Sequence, residues 1–214
     1  MCLIGDSAGG NFVAAVALKL RDNEFQPAVK MQVLIYPIMQ GVDFKLPSYI
    51  QNENGPLLTR QAMAFFTGLY LEGNSDKIEV FLNNDHVSPQ FKKSVLPYMD
   101  ASLLPAKYLV GYQKPSVESG NATVWKEIGE KIIQYSPLVA SRFDNLPPAY
   151  VFTAEYDPLR DEGILYVLRL RKSGIRVEHD HSDFAVHGIL SERDLLPEAD
   201  EMFRRMTTFV AGNL

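Results

Sequence analysis

The sequence predicts an α/β fold built on a mostly parallel sheet, and three observations carry that prediction. Short apolar runs at Met1-Cys2-Leu3-Ile4, Met31 to Tyr36 and Ala149 to Ala154 have the near-continuous hydrophobicity of strands covered on both faces. Segments with apolar residues at helical spacing alternate with them. Strand followed by helix, repeated, is the pattern of parallel sheets with crossover helices. The 214 residues, 46% hydrophobic and 22% charged, suffice to bury a sizeable core.

In chain order, the first strand runs straight into Gly5-Asp6-Ser7-Ala8-Gly9-Gly10-Asn11, after which Phe12, Val13, Val16, Ala17 and Leu20 recur at helical spacing up to Arg21. The next strand, Met31 to Tyr36, is stopped by Pro37. From about 42 to 136 the composition turns mixed, with scattered Pro and Gly and no strand pattern, which predicts a helical insertion covering the rest. Within it Ala62, Phe65, Phe66, Leu69 and Tyr70 fall on one helical stripe between Thr59 as N-cap and Gly73 as terminator. A second stripe passes through Trp125, Ile128 and Ile132. Such stripes usually face a core, but together they also suit a lid over an apolar pocket. Regular order resumes with a strand over Ala149 to Ala154, a helix over Ile164 to Arg171 ended by Gly174, a strand over Ile175 to His179, and a last helix from Pro197 whose apolar face is Met202, Phe203, Met206, Phe209 and Val210.

Composition excludes several functions. A net charge of −5 with no cluster of Lys or Arg argues against nucleic acid and against a polybasic membrane patch. One cysteine, Cys2, rules out an internal disulfide and a cysteine-based zinc site. No run approaches the ~18 apolar residues of a membrane span, and the first residues lack the zones of a signal peptide.

The chemistry is read from Gly5-Asp6-Ser7-Ala8-Gly9, a Gly-x-Ser-x-Gly pattern between a strand and a helix. Alone it is a glycine-rich turn; in that setting it is a nucleophile elbow, where the serine sits in a strained apex and Gly5 and Gly9 keep the flanks clear. A serine hydroxyl needs a base, and the base needs an acid to fix its tautomer. Both are expected just past strand ends, at the carboxyl edge of the sheet. Asp157 follows directly on the Ala149 to Ala154 strand and is the acid, whereas Asp161 and Glu162 open the next helix, where the dipole favours carboxylates. Of four histidines, His86 lies in the insertion and His179 and His181 on or beside the last strand; His187, several residues past that strand on a loop before Gly188, is the base.

These motifs, with Tyr36-Pro37, Glu155-Tyr156-Asp157-Pro158-Leu159-Arg160-Asp161-Glu162-Gly163 and His187-Gly188, resemble the hormone-sensitive-lipase-like branch of the α/β-hydrolases over essentially the whole chain. Tyr166 to Arg171 followed by Gly174 looks like the group of arylacetamide deacetylase and its paralogues. The resemblance implies the C-terminal part of an α/β-hydrolase fold, one domain over 1–214 with the insertion at about 42–136 as lid. It implies hydrolysis of lipophilic carboxylic esters, and of amides of the arylacetamide kind, by a Ser7–Asp157–His187 triad through an acyl-enzyme. It also implies Ala8 as donor of one oxyanion-hole N–H and no metal or organic cofactor, while Phe65, Phe66, Tyr70 and Trp125 of the lid are expected to meet lipophilic acyl or aryl groups of the substrate. Family members carry a membrane anchor and face the lumen of the endoplasmic reticulum, where Asn121-Ala122-Thr123 would be a glycosylation acceptor.

The sequence departs from that family in two places. His187 has small or aliphatic neighbours in Asp183-Phe184-Ala185-Val186-His187-Gly188-Ile189 where aromatic ones are usual. No His-Gly-Gly-Gly loop, the family's main oxyanion donor, precedes the elbow, and the strands before it are absent too. The expectation is an N-terminally truncated form whose first strand is an unpaired edge, leaving a second reading: a catalytically impaired chain that binds apolar ligands or a partner subunit through that edge.

Overall fold

The structure, a computed structural model, describes residues 1–116 and 120–213, so residues 117–119 of the insertion and Leu214 lie outside the described residues. Four parallel strands, β1 (Cys2–Asp6), β2 (Met31–Ile35), β3 (Ala149–Tyr156) and β4 (Val177–Val186), form one sheet in that order. Cys2 pairs with Met31, Gln32 with Ala149, and Ala149 with Val177, so the four carboxyl ends lie along one edge. All of β2 is buried, as its unbroken apolar run requires. Met31, Val33 and Ile35 face the last helix, α8 (Pro197–Ala211), through Met202, Met206 and Phe209. Leu34 faces the other side, into the core made with α1 (Ala8–Asp22), α7 (Arg160–Lys172) and the inserted helices.

Two helical faces are corrected. On α1 the buried residues are Gly10, Asn11, Val13, Ala14, Ala17 and Leu18, while Phe12 and Val16 are exposed. Small side chains let the helix approach the sheet closely, and this turns Phe12 outward. The strands and helices also run longer than their apolar cores. The clearest case is β4, which continues to Val186 instead of ending at His179. The first added residues, Asp180 to Asp183, are polar and therefore silent in a hydrophobicity pattern, but neighbouring groups bind two of them: Thr153 Oγ1 lies 2.9 Å from His181 Nδ1 as well as 2.8 Å from His179 Nε2, and Asp180 accepts from Tyr150 and Arg205. His187 is consequently the first residue after a strand, not a residue out on a loop.

Between β2 and β3 the described chain forms α2 (Pro47–Gln51), α3 (Arg60–Glu72), α4 (Ile78–Leu82), α5 (Pro89–Met99) and α6 (Ala122–Tyr135), with short 3₁₀ turns and no strand among the described residues. α3 begins and ends where expected: Thr59 Oγ1 accepts from Ala62 N at 3.0 Å, and Gly73 takes a left-handed φ of 74°. Its buried face, however, is Met63, Ala64, Thr67, Gly68 and Leu71, one step round from the aromatic stripe. On α6 the buried residues include Ile128 and Ile132, whereas Trp125 is half-buried with its ring 4.8 Å from that of Phe91. His86, fully buried between α4 and α5, has Nε2 2.7 Å from the carbonyl of Gly41, and burial pushes its pKa down to about 4.

The turn between β1 and α1 depends on two glycines, though not the two flanking the serine. A Cβ on Gly5 would overlap the carbonyl of Gly9, and one on Gly10 would come within 2.6 Å of Pro37 Cβ, but one on Gly9 would meet nothing nearer than Asp6 Oδ1 at 4.0 Å. Gly5→Ala and Gly10→Ala should therefore each cost about 1–3 kcal/mol by overpacking. Gly9→Ala should be neutral or stabilising by up to about 1 kcal/mol, because Ala suits a helix better. Urea midpoints of the three variants check this. A second expectation concerns acid. The unfolded chain protonates His86 near 6.5 while the folded one resists to about 4, so the stability this residue gives above 6.5 is lost as pH falls through that window. His86→Phe should flatten the fall in unfolding free energy between pH 7 and 4.5 by about 2–3 kcal/mol, measured by urea unfolding at both.

Candidate active site

Because the sheet is parallel, the residues that follow its four strands meet at one edge: Ser7 after β1, Tyr36 after β2, Asp157 after β3 and His187 after β4. Ser7 has φ 52° and ψ −117°, a region that costs a non-glycine residue of order 1–3 kcal/mol. It is held there by its own N–H donating to Ile35 O at 2.9 Å and by Ile38 N–H and Asn11 N–H both donating to its carbonyl at 3.2 Å. The strained turn lifts the hydroxyl off the end of the sheet.

His187 Nε2 lies 3.0 Å from Ser7 Oγ, and His187 Nδ1 lies 2.8 Å from Asp157 Oδ2. Facing a carboxylate, Nδ1 carries the proton and donates, which leaves Nε2 to accept from the serine hydroxyl. Asp157 is fully buried, and its other oxygen accepts from Leu159 N at 2.8 Å. The β-bulge between Ala154 and Tyr156 aims the end of β3 toward β4 at this point. The aromatic neighbour missing from the residues around His187 is supplied by Tyr36, whose ring centroid is 4.8 Å away at an interplanar angle of 56°. Gly188, with a left-handed φ of 79°, turns the chain away immediately afterwards.

Ser7, Ala8 and His187 open into a cleft of about 440 Å³ whose walls are mostly apolar. Ala8 is the first residue of α1, so its N–H has no acceptor within the helix. Phe66 and Tyr70 line the cleft; Phe65 does not, and instead lays its ring against Phe66 at 5.5 Å. Asn11, Phe12, Ile38, Leu58, Met63 and Tyr135 complete the wall, none of them marked by the sequence as a cleft residue. The helical spacing puts Phe12 on the buried stripe of its helix, whereas it is exposed, and Ile38 and Leu58 lie in irregular segments with no period to read. Asn121 stands apart as the exposed N-cap of α6, its side-chain carbonyl accepting from Thr123 N at 2.9 Å.

Asp161 and Glu162 do more than complement a helix dipole. Asp161 accepts from Ser48 N at 2.6 Å and pairs with Arg160 at 2.9 Å. Glu162 accepts from Met39 N at 2.7 Å, Gln40 Nε2 at 2.7 Å and Tyr49 OH at 3.1 Å; burial nevertheless pushes its pKa up to about 8. Arg160 also donates to Gln51 Oε1 at 2.7 Å and stacks 3.7 Å over the ring of Tyr108. Farther along the edge, ligand atoms of Glu155, His181 and Asp183 gather within 4.8 Å of one another. Lys107 Nζ lies 3.5 Å from both carboxylates there, so an ammonium already occupies the place a cation would take.

Comparison with known proteins agrees with this architecture. The residue pattern of the α/β hydrolase fold family matches residues 1–99 and 113–191. Arylacetamide deacetylase of Bos taurus is 39% identical over 87% of this chain and 48% of its own length, and neutral cholesterol ester hydrolase 1 of Pongo abelii is 35% identical over 89% and 48%. Among solved structures, an esterase of Pseudomonas putida superposes with TM-score 0.64 at 27% identity, over 100% of this chain and 51% of its own. An esterase of Pyrobaculum calidifontis does so with TM-score 0.61 at 28% identity, over 98% and 50%. The chain thus spans about half the length of the relatives it matches. By pattern, identity and sheet topology alike, it belongs to the α/β hydrolase family.

Proposed function

We propose that this chain carries the catalytic triad of a serine hydrolase acting on lipophilic carboxylic esters and on amides of the arylacetamide kind. The observation that supports this most is the hydrogen-bonded chain Ser7–His187–Asp157, assembled from residues far apart in sequence at 3.0 and 2.8 Å. In this reading His187 takes the Ser7 proton as Oγ attacks the carbonyl carbon, and Asp157 stabilises the imidazolium. The oxyanion develops toward the Ala8 N–H at the start of α1. His187 then protonates the leaving alcohol or amine; a water deprotonated by the same nitrogen attacks the acyl carbon, and the proton passes to Ser7 Oγ as its bond to carbon breaks and the acid leaves. The apolar walls and the names of the relatives both favour lipophilic acyl groups.

A second reading, a chain that binds an apolar ligand or partner without turnover, is favoured by one observation. β1 is an edge strand among the described residues, with Ile4 52% exposed. The same experiment separates the two. A fluorophosphonate probe should label Ser7 and leave Ser7→Ala unlabelled, His187→Ala should abolish labelling, and Asp157→Asn should slow it about 10⁴-fold by presenting the wrong tautomer. Equal labelling of wild type and Ser7→Ala would sink the hydrolase reading, and turnover of a short aryl ester that depends on His187 would sink the other.

The endoplasmic reticulum is the proposed location of the longer family members. No helix among the described residues is long and apolar enough to cross a membrane. The cap at Asn121 uses the side-chain oxygen, leaving the nitrogen the atom for glycan attachment. Expressed behind a luminal targeting sequence, the chain should show a glycosidase-sensitive gel shift that Thr123→Ala removes.

A further inference from the structure

One buried carboxylate beside the triad has a role that helix capping does not explain. Glu162 sits in the first turn of α7 with none of its surface exposed, yet its oxygens turn away from its own helix. Their partners, Met39 N, Gln40 Nε2 and Tyr49 OH, belong to the segment that leaves β2 and enters α2. An apolar side chain of similar volume would fill the site without desolvating a polar group, so the carboxyl group is expensive there unless its bonds do something else.

Those bonds fix a short strip, residues 36–40, that touches both the nucleophile and the base. Ile38 N donates to Ser7 O at 3.2 Å, and Ile38 O accepts from Asn11 Nδ2 at 2.9 Å. Pro37 is the neighbour that forbids a side chain at Gly10, and Tyr36 packs on the His187 ring at 4.8 Å. The same first turn of α7 follows directly from Asp157, whose Oδ1 is bound by Leu159 N at 2.8 Å. One turn of helix therefore anchors the acid by the backbone and the strip under the nucleophile by a side chain. We propose that Glu162 is the positioning residue that holds the Ser7 turn in reach of His187, acting through residues 38–40 and not on substrate. The inference rests on the serine hydrolase reading for its consequence in rate, but its geometry does not.

The donor pattern gives the test. Gln40 Oε1 already accepts from Val42 N at 2.6 Å and Asp43 N at 2.7 Å, so Gln40 cannot flip to suit a new neighbour. Glu162→Gln therefore sets an amide N–H₂ against donors, and Gln40→Glu sets two carboxylates together. The double exchange, Gln40→Glu with Glu162→Gln, restores one acceptor facing one donor between the two side chains, although it loses the bond of 3.0 Å that Gln40 Nε2 donates to Asp43 O. Labelling of the chain by a fluorophosphonate is followed over time at several probe concentrations, with circular dichroism reporting the folded fraction. Each single variant should lower the maximal labelling rate constant roughly 10- to 100-fold, the effect of an ångström-scale misplacement. Half-saturation should stay within about twofold, since transition-state geometry is lost and binding is not. The double exchange should recover part of the rate and label faster than either single variant. A residue that merely stabilised the fold would lower the fraction labelled, not the rate constant.

Wild-type rates in folded Glu162→Gln, or a double exchange no faster than the singles, would overturn the proposal. Should Glu162→Gln fail to fold, Tyr49→Phe removes one donor and keeps the carboxylate, and it should label a few-fold more slowly; an unchanged rate would equally overturn it. If wild type itself is not labelled at Ser7, the hydrolase reading falls. The positioning role is then read from the downfield His187 Nδ1 proton by NMR, which should shift in Glu162→Gln and return in the double exchange, and an unmoved resonance refutes it.

Discussion

The backbone of Ser7 is the constraint on which this end of the molecule depends. A non-glycine residue at φ 52° and ψ −117° persists only where its surroundings over-determine it. Here they do so from three directions. Ile35 takes its N–H, Ile38 and Asn11 donate to its carbonyl, and Gly5 and Gly10 permit the approach of Gly9 and Pro37. The two essential glycines lie before the turn and against β2, so the turn is a packing solution between β1, α1 and the exit of β2. It is more than a local sequence preference.

Parallel pairing then does what no local motif could. It sends the exits of four strands to one edge, so residues from opposite halves of the chain meet without any one segment encoding the site. Register between the strands is stiff, but the exits are loops, and loops need anchors. The β2 exit is tied to α7 by two adjacent carboxylates, with Asp161 on Ser48 and Glu162 on Met39, Gln40 and Tyr49. Asn11, buried on α1, adds a second tie by donating to Ile38 O and to Tyr135 O, where α6 ends. The inserted helices thereby share anchors with the edge that carries Ser7 and His187.

What the sequence discloses follows from which signals are periodic. The apolar strands and the capped helices were legible because burial on both faces or along one stripe leaves a pattern, as at Met31–Ile35 and between Thr59 and Gly73. The placements of Ser7, Asp157 and His187 past strand ends could be inferred because parallel sheets bind at that edge. Polar strand residues left no such trace. His179, Asp180 and His181 are satisfied by Thr153, Tyr150 and Arg205, partners distant in sequence, so the end of β4 was invisible. The wall of the cleft was half legible for a related reason. An aromatic stripe on α3 could face either way, and only the packing of Ala64, Thr67 and Leu71 beneath it shows that Phe66 and Tyr70 look into the cleft.

Buried ionisable groups around this edge also set where the fold is most stable, and their signs oppose. His86 and His179 are both held near 4 by burial, so the unfolded chain binds more protons than the folded one between 4 and 6.5, and stability climbs with pH across that window. Above 6.5 the two histidines contribute no further slope. Glu162 works the other way: its folded value near 8 against an ordinary 4.5 means the folded chain binds the extra proton, so stability declines as pH rises toward 8. Asp43 and Asp161, raised by burial as well, add to that decline. The two effects oppose each other between about 4.5 and 6.5, and above 6.5 only the carboxyl loss continues. The burial that fixes the β2 exit thus carries a cost that grows toward alkaline pH, opposite in sign to the cost that the buried histidines impose on acidification.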